Sequence, residues 1–332
     1  MKSSLSTLVA TSTLAFLAAC GGSDGGTSSQ PDGKVAITSA NQNDVARASI
    51  DGGLAVSLAQ GSLGGGAAPA SVAGRSHALG VLLQRAVDTA VGRRSVASVG
   101  AHPAAVSTST SDCSNGGTFT SAFDDKDGNN QVSGGDVITA TFAQCGESST
   151  VTVNGSVVVT VTGTPTDTQF SASAQFQNLT IVDDGATSTV SGTVAVTETD
   201  MTTLSDSTIT VGAGGLTVGV ASSGYNDTIA FQQGLVITTA VVGTGSNVSV
   251  TVAGSLSSTA LGGTVGIVTP VALSQGDTDP YPVSGEMIIT GGSGSKLLVT
   301  VLNNAQVKLE LDANGDGSID STSTVAWSTL LP

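Results

Sequence analysis

From Cys113 to the end of the chain, apolar residues alternate with Thr, Ser and Gln at a period of two. The runs Val151–Thr162, Gln169–Val182, Thr187–Thr197, Thr208–Val220, Leu235–Val242, Val248–Leu256 and Lys296–Leu311 all follow this pattern, and Gly, Asp and Asn separate them. Because successive strand side chains point to opposite faces, such alternation marks strands with one buried face. Gly155, Gly192, Gly224, Gly254 and Gly285 form a weak repeat, with room for two strands and two turns between neighbours. Successive hairpins predict an all-β fold: a large antiparallel meander, curled sheet or open barrel over residues 113–332. A surface β-solenoid is the alternative architecture. A transmembrane barrel is disfavoured, since aromatic residues are only 3% of the chain and cannot supply interfacial girdles.

Before Cys113 the period changes. Leu79, Leu82, Leu83, Ala86, Val87, Ala90 and Val91 recur at i, i+3, i+4 spacing, predicting one amphipathic helix over 76–94. It either covers an edge or mouth of the β body or lies on an anionic membrane surface. The flanking stretches, 20–75 and 95–112, are rich in Gly, Ala, Ser and Thr and offer no apolar face, so they read as a disordered tether and a linker.

At the start of the chain, Met1 and Lys2 form a short positive end and Leu5–Leu17 is an apolar run too short to span a bilayer. It closes on Leu17-Ala18-Ala19-Cys20. Residues 1–19 thus resemble the signal peptide of bacterial lipoproteins. That resemblance implies cleavage before Cys20, acylation of the Cys20 sulfur and amine, and a lipid anchor in the cell envelope. Gly21 in place of Asp implies, by the same resemblance, the outer membrane. Export also bears on the remaining cysteines: Cys113 and Cys145 are an even pair in an oxidising compartment, which predicts a disulfide.

Charge narrows the partners. Between residues 112 and 332 only Lys126, Lys296 and Lys308 stand against twenty acids, and the whole chain carries a formal charge of −15. Such a body repels phosphate backbones, which argues against nucleic acid and favours cations or basic partners.

Two acidic segments carry definite chemistry. Asp125, Asp127, Asn129, Gln131, Ser133 and Asp136 occupy positions 1, 3, 5, 7, 9 and 12 of a twelve-residue loop resembling that of an EF-hand. Calcium takes six to eight hard oxygens, and this spacing supplies them. Position 6 is Asn130 rather than Gly, and position 12 is Asp136, one methylene shorter than the usual Glu. Asp312, Asn314, Asp316, Ser318 and Asp320 repeat the pattern from position 1 to 9, with Gly317 at position 6 but Ser323 at position 12, so the closing ligand is absent there. The flanks are strand-like, predicting weak calcium binding in β-hairpin loops. The competing expectation is that Asp-Asn-Gly-Asp runs simply turn well.

Cys113-Ser-Asn-Gly-Gly, Val132-Ser-Gly-Gly-Asp136, Pro282-Val-Ser-Gly285 and Asp312 through Trp327 also resemble segments of proteobacterial outer-membrane lipoproteins, a likeness that implies location and architecture but no activity.

A catalytic set is not legible. Both histidines, His77 and His102, precede the β body, so no imidazole serves a nucleophile within it. Ser293 and Lys296 have Ser-x-x-Lys spacing without the helix start and companion motifs that chemistry needs. Glu198 with Asp200, and Asp277 with Asp279, read as solvated turn acids. The leading expectation is a non-enzymatic envelope lipoprotein acting as a structural or binding module, with an envelope protein, glycan or lipid as its partner. The alternatives are a lipid or hydrophobic-ligand carrier, which requires an elongated apolar cavity, and a carbohydrate-active enzyme, which requires a cleft with converging carboxylates.

Overall fold

In the computed structural model of the chain, the described residues are 33–50, 106–146, 149–166, 168–183, 185–199, 206–222, 225–242, 247–276, 279 and 281–331. Cys20, the helix expected at 76–94, His77, His102, Asp200, Gly224 and Asp277 lie outside them.

The body is one antiparallel sheet of fifteen strands. In chain order these are β1 (Val106–Asp112), β2 (Thr118–Asp124), β3 (Val137–Gly146), β4 (Val151–Val161), β5 (Gln169–Asp183), β6 (Ala186–Thr199), β7 (Asp206–Ser222) and β8 (Tyr225–Phe231). They continue as β9 (Val236–Val242), β10 (Asn247–Ser258), β11 (Gly263–Gly276), β12 (Ser284–Thr290), β13 (Lys296–Asn303), β14 (Gln306–Asp312) and β15 (Ser321–Ala326). Each strand pairs with its sequence neighbours, apart from one detail. β8 and β9 are two halves of a single row: β7 pairs with β9 along 207–210 and with β8 along 216–222, and β10 does the same from the other side. The expected meander is therefore the observed topology.

Three expectations change. The sheet begins at Val106 rather than Cys113, because β1 lies in what reads as linker. All seven of its side chains are exposed, so it is held mainly by backbone pairing with β2, with the Thr110 and Thr120 hydroxyls 3.0 Å apart, and an edge strand of that kind has no hydrophobic period to read. The run Lys296–Leu311 is two strands, split by a turn in which Asn303 Oδ1 accepts from the amides of Ala305 (2.8 Å) and Gln306 (3.0 Å). Residues 33–50, which read as tether, pack against the body. They form an extended stretch and a short helix, α1 (42–50), whose Val45, Ala46, Ala48 and Ile50 are buried. Nine residues are too few to display the periodicity of a longer helix.

The glycine repeat marks positions inside strands. Gly155, Gly192, Gly254 and Gly285 sit inside β4, β6, β10 and β12 with positive φ. Register shifts accompany them, between Asn154 and Ser156, Phe176 and Leu179, Gly192 and Val194, Val250 and Ala253, and Val268 and Val271. The shifts form a crease across the strands, and bulges of this kind bend a sheet. At Gly192, φ is +122° and an added Cβ would stand 2.3 Å from the Gly215 oxygen, so the neighbouring backbone occupies the side-chain position.

Bending lets the sheet enclose its own apolar face. Val157, Phe170, Leu179, Ile209, Leu216, Phe231, Ile237, Leu256, Ile289, Leu297 and Leu309 are at most 1% exposed and belong to one core. At the C-terminus a short helix, α2 (Trp327–Leu330), closes the strand ends. Trp327, the chain's one tryptophan, stacks on Tyr281 at 5.6 Å. Its Nε1 donates to the Asn303 carbonyl at 3.1 Å and its amide to that of Ala305 at 3.0 Å.

Candidate metal centres

Both acidic segments are hairpin loops, the first joining β2 to β3 and the second β14 to β15. Strand direction alternates along the meander, so the two loops lie at opposite ends of the strands and near opposite edges of the sheet.

Their backbones fold alike because the short acidic side chains turn the chain locally. In the first loop Asp125 accepts the amides of Gly128 (2.7 Å) and Asn130 (2.6 Å), Asp127 that of Asn129 (3.1 Å), and Asn129 that of Gln131 (2.6 Å). In the second, Asp312 accepts the amides of Gly315 (2.7 Å) and Gly317 (2.9 Å), Asn314 that of Asp316 (2.9 Å), and Asp316 that of Ser318 (2.8 Å). Position by position the ladder is identical. Position 6 has positive φ in both, +59° at Asn130 and +88° at Gly317, so Asn130 fills the glycine place as its tolerance for that region allows.

The closing carboxylate differs. Asp136 Oδ1 accepts the Lys126 amide at 2.8 Å, and its Oδ2 accepts from the amide (2.7 Å) and hydroxyl (3.0 Å) of Ser133. In the second loop Asp320 Oδ2 takes the equivalent bond from the Ala313 amide at 2.7 Å. Asp320, at position 9, thus makes the loop-closing hydrogen bond that Asp136 makes from position 12 in the first loop, while Ser323 stands in β15 opposite Leu309. Sequence spacing alone hides this, because the loop is shortened after position 9.

Only the first loop, among the described residues, gathers three carboxylates: ligand oxygens of Asp125, Asp127 and Asp136 lie within 4.8 Å of one another. Calcium–oxygen bonds of about 2.3–2.6 Å place opposed ligands roughly 5 Å apart. The cluster thus has the span of one calcium shell, and its chemistry, hard anionic oxygens with the Asn129 amide oxygen and the Gln131 carbonyl alongside, fits that ion. Asp125 and Asp136 are buried and Asp127 is exposed. The Lys126 ammonium pairs with Asp124. The Ser133 hydroxyl, 2.9 Å from Asp127 Oδ2, and the Asn129 amide hold the Asp127 carboxyl below its usual range. The Ser318 amide and the Asn314 side chain do the same for Asp316.

Other sequence candidates resolve as follows. Cys113 and Cys145 are bridged, with Cα atoms 5.3 Å apart, tying the β1–β2 turn to the end of β3. Ser293 lies in a 3-10 turn (Gly292–Gly294) rather than at a helix start. Glu198 is buried at the end of β6, and Asp279 is a turn residue whose carboxylate accepts from Asn304 at 3.1 Å. One polar centre escaped the sequence reading. Asp227, buried in β8, accepts from the Ser258 and Thr259 hydroxyls (2.8 and 2.9 Å) and the Ala260 amide (2.9 Å).

The first loop and the disulfide secure opposite ends of the β1–β3 edge; the second loop and Trp327 do so at the β14–β15 edge. No protein family, no curated protein and no solved structure matches this chain.

Proposed function

We propose that the protein is a non-enzymatic envelope lipoprotein, anchored in the outer membrane through acylated Cys20, whose acidic β body serves as a rigid structural or binding module held by one disulfide and by calcium. The observation that carries this reading is the paired acidic loops, which share one hydrogen-bond ladder and pin opposite corners of an open sheet. An open meander has two edges where strands fray, and cross-links there restrain the motion that would unravel it. Calcium outside the cytoplasm fills even weak sites, with Kd values of roughly 10⁻⁴ to 10⁻³ M. The buried apolar residues form one continuous core, which supports a structural role; a lipid carrier needs a cavity of acyl length.

Calcium removal tests the proposal. For one site with a Kd of about 10⁻⁴ M, 2 mM calcium stabilises the fold by about 1.8 kcal/mol, a Tm change of about 4–7 °C for a body of this size. EDTA should lower the Tm by that amount, read from Trp327 fluorescence, and calorimetry should show calcium binding that Asp125→Asn weakens. An unchanged Tm together with no heat at millimolar calcium would remove calcium from the proposal. Intact-mass measurement of protein from its own membrane separately tests acylation at Cys20.

A further inference from the structure

Residues 33–37 attach to the sheet in a way no strand does. Lys34 makes a parallel bridge to Thr264. Thr264 donates to the Gly33 carbonyl at 2.6 Å, the Val35 amide donates to the Thr264 carbonyl at 3.0 Å, and Gly292 donates to the Val35 carbonyl at 2.6 Å. The Ile37 amide then donates to the buried Ser295 hydroxyl at 2.9 Å, and Ile37 is fully buried. The extended stretch is thus gripped between the start of β11 and the β12–β13 turn.

The receiving surface is made of glycine. A Cβ on Gly263 would lie 2.4 Å from the Gly33 oxygen, on Gly291 2.3 Å from the Val35 oxygen, and on Gly292 2.7 Å from the Lys34 oxygen. None of the three has a φ that requires glycine; Gly291 is extended, at φ −105° and ψ −162°. Their common reason for lacking a side chain is the close passage of this second backbone. Beyond it, the Asn41 side chain ties the stretch to α1, accepting from the Thr38 amide at 2.8 Å and donating to the Ala36 carbonyl at 3.1 Å.

Every ladder of the sheet runs between residues 106 and 326, so none depends on this segment, and 55 residues separate Ile50 from Val106. A segment connected in that manner opens without breaking a strand pairing, at the cost of its own hydrogen bonds and of the core contacts of Ile37, Val45, Ala46 and Ile50.

We infer that the cleft formed by Gly263, Gly291, Gly292 and Ser295 is a docking site for an extended peptide, and that residues 33–50 are its detachable occupant, a clamp on the tether. Docked, the first attachment to the sheet after Cys20 is at Gly33; released, it is at Val106. That consequence rests on acylation of Cys20, whereas the docking does not.

Hydrogen exchange on the full chain, titrated with denaturant below the global transition, tests the clamp. The amides of Val35, Ile37, Gln42 and Val45 should be protected in water yet open at lower denaturant than those of β11–β13. Gly292→Val, whose side chain would first meet Lys34 and Ala36 of the docked segment, should speed their exchange roughly tenfold or more and leave β12 and β13 unchanged. If residues 33–50 exchange only in the global step, or keep their protection in Gly292→Val, the proposal is wrong. The wild-type titration decides alone if the variant does not fold. Because neither arm involves lipid or calcium, the outcome stands apart from the tests of the proposed function.

Discussion

Asp227 holds the β10–β11 turn against β8 with a single carboxylate. Its partners, the Ser258 and Thr259 hydroxyls and the Ala260 amide, come from more than 30 residues away, so nothing local in the sequence distinguishes it from a solvated acid. Removing it leaves those donors without an acceptor, and hydrogen bonds to a charged group are the stronger kind. Asp227→Ala should therefore destabilise the body by about 2–4 kcal/mol in urea unfolding; a loss below about 0.5 kcal/mol would mean the turn holds without it. Asp127 and Asp316 act through pH. The folded state holds both carboxyls below their usual range, so their contribution is complete above the ordinary value of about 3.9 and disappears as pH falls through the lower folded-state values. Calcium bound as proposed would shift stability in the same direction, since protonated carboxyls do not ligate. Tm should fall below about pH 4, and Asp127→Asn should flatten that fall.

Among the elements, the crease is the part whose chemistry is most exacting. Gly192 combines a positive φ with a neighbour's carbonyl 2.3 Å from any Cβ, so both backbone strain and a clash oppose substitution. Gly192→Ala should cost about 2–4 kcal/mol. Gly185 also has a positive φ, +81°, but faces open space, so Gly185→Ala carries the backbone cost alone, about 1 kcal/mol. Equal losses in the two variants would show that close packing of strands at the crease is not what the glycine serves. The repeat itself is visible in the sequence. Its role is not, because the close approach of the neighbouring strand's backbone shows only once that strand is placed. α1 and β1 are invisible for other reasons: α1 is short, and β1 buries neither face.

On the scale of the whole molecule, stability depends on restraining a long open sheet. The Cys113–Cys145 bridge closes a separation of 32 residues, which the chain-entropy account values at about 3–4 kcal/mol. Replacing both cysteines with alanine should lower stability by that amount, measured in denaturant with calcium present. A much smaller loss would show that the first acidic loop alone keeps β1–β3 in place. The sequence by itself determined the class of fold and the loop chemistry. Period-two alternation follows from every interior strand burying one face, and the acidic residues of each loop fall within a dozen consecutive positions, so both are local patterns. Tertiary structure alone decided which acid closes the second loop, where the sheet creases, what Asp227 holds, and that residues 33–50 belong to the body. Each of these depends on a meeting between backbones or side chains far apart in the chain, which no spacing along one strand encodes.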